Sequence, residues 1–148
     1  MSFTHLPDEM EITIETDDPL PDGRRRVSFA TRFGSAQAIW RGSHVRRGDT
    51  YQVELTVLDE LEVGRNADLI HQEAFALAMI ANLIVINARV ESVDPDGVSG
   101  MRLGDDCLFL ADFVNTTPEP RQWLGIRLPP ERLELWPYDS GSMTIVER

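Results

Sequence analysis

The sequence predicts a mainly β protein, an antiparallel, partly open small barrel with one helix. Three observations lead there. Short apolar runs alternate residue by residue between breaks rich in Gly, Pro and Asp, the pattern of half-buried strands joined by tight turns. One stretch, residues 67–81, has no such breaks and is rich in Ala, Leu and Met. A length of 148 residues with 42% hydrophobic content suits a single domain, residues 1–148, with a core of its own.

The first strand is EMEITIET, where Met10, Ile12 and Ile14 alternate with Glu11, Thr13 and Glu15. DDPLPDG breaks it, and RRVSFATRF resumes with Val27 and Phe29 inward, so the two pair as a hairpin. Gly34 interrupts before AQAIW, and the loop RGSHVRRGD leads into YQVELTVL, with Tyr51, Val53, Leu55 and Val57 on one face. Residues 67–81 place Ile70, Ala74, Leu77 and Ala81 at helical spacing, which predicts a helix from near Asp68 to Ile80 with Asn66 or Asp68 as its cap.

β-Branched residues take over in NLIVINARVESV, where Ile84, Ile86 and Val90 point to the core. Asp94-Pro95-Asp96-Gly97 and Gly104-Asp105-Asp106 then mark two reversals of a three-stranded meander ending in CLFLADF. Phe109 shares an inward face with Cys107 and Phe113 there. RQWLGIRL and ERLELWP add two strands with Ile126 and Leu135 inward and Trp136 on the opposite side; TIVE near the end is a last edge strand. About seven or eight strands result.

Charge narrows the function. The chain carries 25 acidic residues against 14 arginines and no lysine, a net charge of −11. That field repels nucleic acid and anionic membranes and favours a basic partner. Seven of the arginines fall between Arg24 and Arg47 with no acid among them, so the rest of the chain sets seven arginines against 25 acids. No apolar run approaches the roughly 18 residues that span a bilayer, the N-terminus lacks the features of a signal peptide, and the lone Cys107 suits a reducing compartment. A cytoplasmic location is the expectation.

Catalytic patterns are lacking. His5, His44 and His71 have no metal spacing, no glycine-rich phosphate loop or G-x-S-x-G elbow occurs, and Cys107 reads as a buried thiol. The aspartates from Asp94 onward fail the calcium-loop pattern: the fifth and sixth positions hold Val98 and Ser99 instead of a ligand and glycine. They read as turn residues, with Asp94, Asp96, Asp105 and Asp106 the ligands of a rival, metal-dependent enzyme reading. The expectation is therefore no enzyme, no cofactor and no metal.

Two binding surfaces stand out. Asp59, Glu60 and Glu62, with Asp105 and Asp106 next, are candidates for contact with a basic protein. In an oligonucleotide-binding-type barrel the loop after the first barrel strand contacts ligand, and RGSHVRRGD would there present Arg41, His44, Arg46 and Arg47 to an anion beside Trp40. The competing account of the arginines is internal: Glu9, Glu11 and Glu15 lie opposite Arg26 and its neighbours in the first hairpin, each such cross-strand pair contributing about 0.2–1 kcal/mol. Single-strand binders add stacking aromatics and a basic field, which favours the internal account.

The succession "GDTYQVELTVLDELEV", "NARVESVDPDGVSGMRLGDDCLFLAD" and "LELWPYD" resembles a loose group of small acidic bacterial proteins with an oligonucleotide-binding-like barrel, some of them toxin-immunity proteins. The resemblance covers residues 25–138 through scaffold features: Val53-Glu54-Leu55, the Asp96-Gly97 hairpin and the Arg102-Leu103-Gly104 turn. It implies the barrel fold and a neutralising role toward a partner, and it assigns no binding residue.

Overall fold

The computed structural model describes residues 10–138, which form eleven strands and one short 3₁₀ turn. The first four strands are β1 (Met10–Pro19), β2 (Arg25–Thr31), β3 (Gly34–Trp40) and β4 (Thr50–Val57). The middle six are β5 (Ala67–Leu69), β6 (Ala76–Ile80), β7 (Leu83–Val93), β8 (Val98–Arg102), β9 (Leu108–Asp112) and β10 (Trp123–Leu128). The 3₁₀ turn Pro130–Arg132 leads into β11 (Leu133–Pro137). His5, Glu9 and the TIVE strand lie outside the described residues.

Five of these strands close a ring. β1 pairs antiparallel with β2 and β4, β2 with β3, and β4 with β11. A short parallel contact of Ile39 and Trp40 with Glu134 and Leu135 completes it. The barrel is thus closed, not partly open as expected, because β11 returns from the far end of the chain to fill the gap between β3 and β4. Alternation dictates its interior: Met10, Ile12, Ile14, Val27, Phe29, Val53, Leu55 and Leu135 are all buried, while Tyr51 and Val57 are half-buried. A bulge between Ile14 and Thr16 ends the inward run of β1 and leaves Glu15 and Thr16 exposed.

Residues 58–132, between the fourth and fifth barrel strands, carry the other six strands, organised on β7. It pairs with β6, β8 and β10; β9 adds to β8 and β5 to β10. The junction with the barrel is Gly34, which faces Leu77 across a parallel pairing at φ 136°. A Cβ built there would fall 1.8 Å from the Leu77 carbonyl oxygen, so only glycine lets the two strands approach.

The expected helix from Asp68 to Ile80 is absent; the described residues contain no α-helix. β5 takes Ala67–Leu69, residues 70–75 are irregular, and β6 takes Ala76–Ile80. Ala81 and Asn82 have φ 52° and 66° and link Ile80 to its partner Leu83, the geometry of a two-residue type I′ hairpin. Tertiary pairing overrides propensity: β7 offers β6 a full ladder, and Ile70 donates its N–H to the Trp123 carbonyl at 3.0 Å. Asn66 caps no helix; its side chain accepts from the Glu62 N–H and donates to the Glu60 carbonyl, and Asp68 pairs with Arg127. The strand count rises from seven or eight to eleven among the described residues because this segment contributes β5 and β6 and residues 34–40 form β3.

Candidate functional site

The meander aspartates are turn residues, as their spacing implies. Gly97 (φ 94°) donates to the Asp94 carbonyl at 3.0 Å, and Asp96 accepts the Val98 N–H at 3.1 Å. Asp105 and Asp106 occupy the reversal between β8 and β9, which the Leu103 N–H closes onto the Cys107 carbonyl at 2.9 Å. Asp112, in mid-strand by sequence, faces solvent at the end of β9. Among the described residues no group of three or more His, Cys, Asp or Glu side chains converges on a point that would hold a metal.

The structure brings the two acidic groups to one strand. Residues 58–63 meet β9 at its C-terminal end through Leu61: the Leu61 N–H donates to the Asp112 carbonyl at 2.8 Å and the Val114 N–H to the Leu61 carbonyl at 2.9 Å. Asp59, Glu60 and Glu62 therefore lie toward one end of β9 and Asp105 and Asp106 at the other. The five residues between them span about 17 Å. They turn Phe109 and Ala111 into the core and leave Leu108, Leu110 and Asp112 outward, with Leu110 63% exposed. A groove of about 370 Å³ separates β9 from Glu54, Leu55 and Thr56 of β4.

These acids differ in what they already hold. Asp59 is paired with Arg132 and Asp106 with Arg32. Glu62 accepts hydrogen bonds from Asn115 and Arg65, which hold its carboxyl below the usual glutamate range. Arg65 and Arg102 reach only the backbone carbonyls of Glu60 and Asp105, whose carboxylates have no arginine partner among the described residues. Those are the carboxylates of the five left for a partner.

The arginines show the opposite balance. Eleven of the thirteen described arginines make ion pairs, and only Arg47 and Arg121 make none. The internal account of residues 24–47 is right in kind but not in partner: Arg24 pairs with Asp22, Arg25 with Asp17, Arg26 with Glu131 and Arg32 with Asp106. Glu11 and Glu15 take no arginine among the described residues. The bulge after Ile14 shifts the register so that Asp17 and Asp18 face Val27 and Arg26.

The loop 41–49 joins the third and fourth barrel strands and does not follow the first. Its tryptophan is not a surface platform: Trp40 is buried, packs edge-on against Tyr51 with centroids 4.9 Å apart, and donates to the His44 carbonyl at 3.0 Å. Arg41 and His44 line a pocket of about 280 Å³ together with Tyr51, Trp136 and Tyr138. Arg46 sits 3.8 Å from Asp49, and Arg47 is exposed. Tyr51 reads from sequence as core, and Trp136 and Tyr138 are too far along the chain to join to this loop. The one available signal was Trp136 on the polar side of an alternating strand, since a large aromatic there asks for an explanation.

No protein-family model, curated protein or solved structure matches the chain. Among the described residues no helix is long and apolar enough to cross a membrane.

Proposed function

We propose that the chain is a non-enzymatic acidic binding protein that presents the outward side of β9 and the acids at its two ends to a basic protein surface. The observation that supports this best is the joining of two acidic groups, 43 residues apart in sequence at their nearest, at opposite ends of one strand with the exposed Leu110 between them. An apolar centre with a charged rim is the ordinary anatomy of a protein contact. The near-complete pairing of the arginines strengthens the reading, because the excess carboxylates then dominate the field that a partner meets. Neutralisation of a toxin is the form of this role that the resemblance to acidic immunity proteins implies.

A photo-crosslinking residue at position 110, introduced in the host cell, would identify the protein that β9 touches. The captured protein is expected to be basic, and association of the purified pair should slow as salt rises. It should slow about tenfold further in Glu60→Arg plus Asp105→Arg. A captured partner whose association ignores both salt and charge reversal removes the acidic reading. Tight binding of a single-stranded oligonucleotide that is lost in Arg46→Glu plus Arg47→Glu would put the arginine loop in its place.

A further inference from the structure

The pocket at the end of the barrel differs in chemistry from the acidic face. Three aromatic rings border it, from β4 (Tyr51), β11 (Trp136) and the residue after β11 (Tyr138), and Arg41 supplies a cation. The Arg41 guanidinium carbon lies 5.1 Å from the centre of the Trp136 ring, a cation–π contact that orients it. Its nearest carboxylate among the described residues, Glu134, is 3.9 Å away, and its side chain donates no hydrogen bond to a described residue. Glu134 instead accepts from the Trp136 indole at 3.1 Å, which holds that ring in place. A guanidinium held only by one long ion pair, with no side-chain hydrogen bond to a described residue, at the wall of an aromatic pocket, is suited to a planar anion.

The pocket is also built rather than incidental. The Arg41 N–H donates to the Leu135 carbonyl at 2.9 Å and the Tyr138 N–H to the Gln52 carbonyl at 2.8 Å, tying both walls to the barrel. The Trp40 indole holds the His44 carbonyl, and the Arg46 N–H holds the Tyr51 hydroxyl oxygen at 3.0 Å. Gly42 permits the close seat of the loop: a Cβ there would stand 2.5 Å from Cγ of Pro137 and 2.9 Å from Nε1 of Trp40.

From this arrangement we infer that the barrel end is a binding site for a small planar aromatic ring bearing one anionic group. The tyrosine and tryptophan walls receive the ring, and Arg41 receives the anion with His44 beside it. A volume of about 280 Å³ lies at the small end of ligand pockets, which suits one ring and its substituent and not a run of nucleotides. Arg46 has Asp49 beside it, so the loop does not continue as a track of free cations. The site is independent of the acidic face in residues and in ligand charge.

Calorimetric titration of the full chain with a nucleoside 5′-monophosphate and with an aryl acetate tests it, with the uncharged nucleoside and inorganic phosphate as controls. Saturable binding of at least one ring anion is expected, at least tenfold tighter than either control. Arg41→Gln should weaken the ring anion at least tenfold while leaving the nucleoside unchanged, and the exposed Trp136→Ala should weaken both. Binding of the monophosphate alone identifies the anion as phosphate, and binding of the aryl acetate alone identifies it as carboxylate. The inference is overturned if neither ring anion binds at millimolar concentration, if inorganic phosphate binds as tightly, or if both variants bind as the parent does. It is also overturned if a tetranucleotide binds more than tenfold tighter than the monophosphate in a manner that needs Arg46 and Arg47. Circular dichroism of each variant separates lost binding from lost fold.

Discussion

The barrel and the strands inserted between its fourth and fifth members solve the same problem in different ways. In the barrel every strand has a neighbour on both sides, so no barrel strand offers a continuous open edge, and the candidate ligand site lies at one end among loops. The insertion is an open arrangement around β7 in which β9 is paired only with β8, and its exposed apolar residues include Leu69, Ile80 and Leu110. A closed ring buries its apolar face against itself. An open meander must lean on a neighbour, and it leaves a face that a partner can use.

Removing a large side chain from each region tests how far the two depend on each other. Phe29 fills the barrel and Phe109 the inward face of β9, and both belong to one continuous core. Phe29→Ala and Phe109→Ala should each cost about 3–5 kcal/mol in urea unfolding. A single transition for both variants makes the regions one cooperative unit; a biphasic curve in Phe109→Ala alone makes the insertion a separate one.

The junction itself is the next test. Gly34→Ala puts a methyl group against the Leu77 carbonyl in a backbone conformation that disfavours side chains, and a loss of about 3 kcal/mol is expected. Hydrogen exchange should then speed up in β6 before it does in β1 or β4.

A gain is expected at the hairpin between β6 and β7. Ala81→Asn with Asn82→Gly supplies the pair that a type I′ turn prefers and should raise stability by about 1 kcal/mol. The sign is decisive, since the same glycine in a helix would lower stability by about 0.5–1 kcal/mol.

The smallest effect concerns pH. The carboxyl of Glu62 is held below its ordinary value by Asn115 first and Arg65 second. Its contribution is therefore present above the unfolded pKa and lost as pH falls through the folded one. The melting temperature of Glu62→Gln should lie slightly below that of the parent at neutral pH and converge with it in acid. A constant difference across that range would assign the loss to packing.

Legibility followed these same differences. The barrel strands β1, β2, β4 and β11 show clean alternation over five residues or more, and their inward residues are buried apart from the half-buried Tyr51 and Val57 of β4. β5 and β6 have three and five residues, too short for a period of two to outweigh a composition rich in Ala, Leu and Met. Asn82 was the one local sign of a turn, and it lacked the following glycine that would have marked it. For the candidate sites, the sequence showed which residues were charged. It did not show that Asp59 and Asp106 already have arginines, or that Arg41 stands beside Trp136.

By itself, then, the sequence determined the β class, the hairpin of β1 and β2, the meander of β7, β8 and β9, the two aspartate turns and the sign of the overall field. Each depends on neighbours a few residues apart, where side-chain alternation and turn chemistry act directly. Only the tertiary structure decided that β11 closes the ring, that residues 67–69 and 76–80 become strands, that the acids of residues 59–62 and 105–106 border one strand, and that Arg41, Tyr51, Trp136 and Tyr138 share a pocket. Apart from β6, which pairs with the adjacent β7, those outcomes rest on pairings between distant segments, for instance Trp40 with Leu135, 95 residues later. Partner choice at that range is set by which ladder and which core a segment can join, and no local pattern records it.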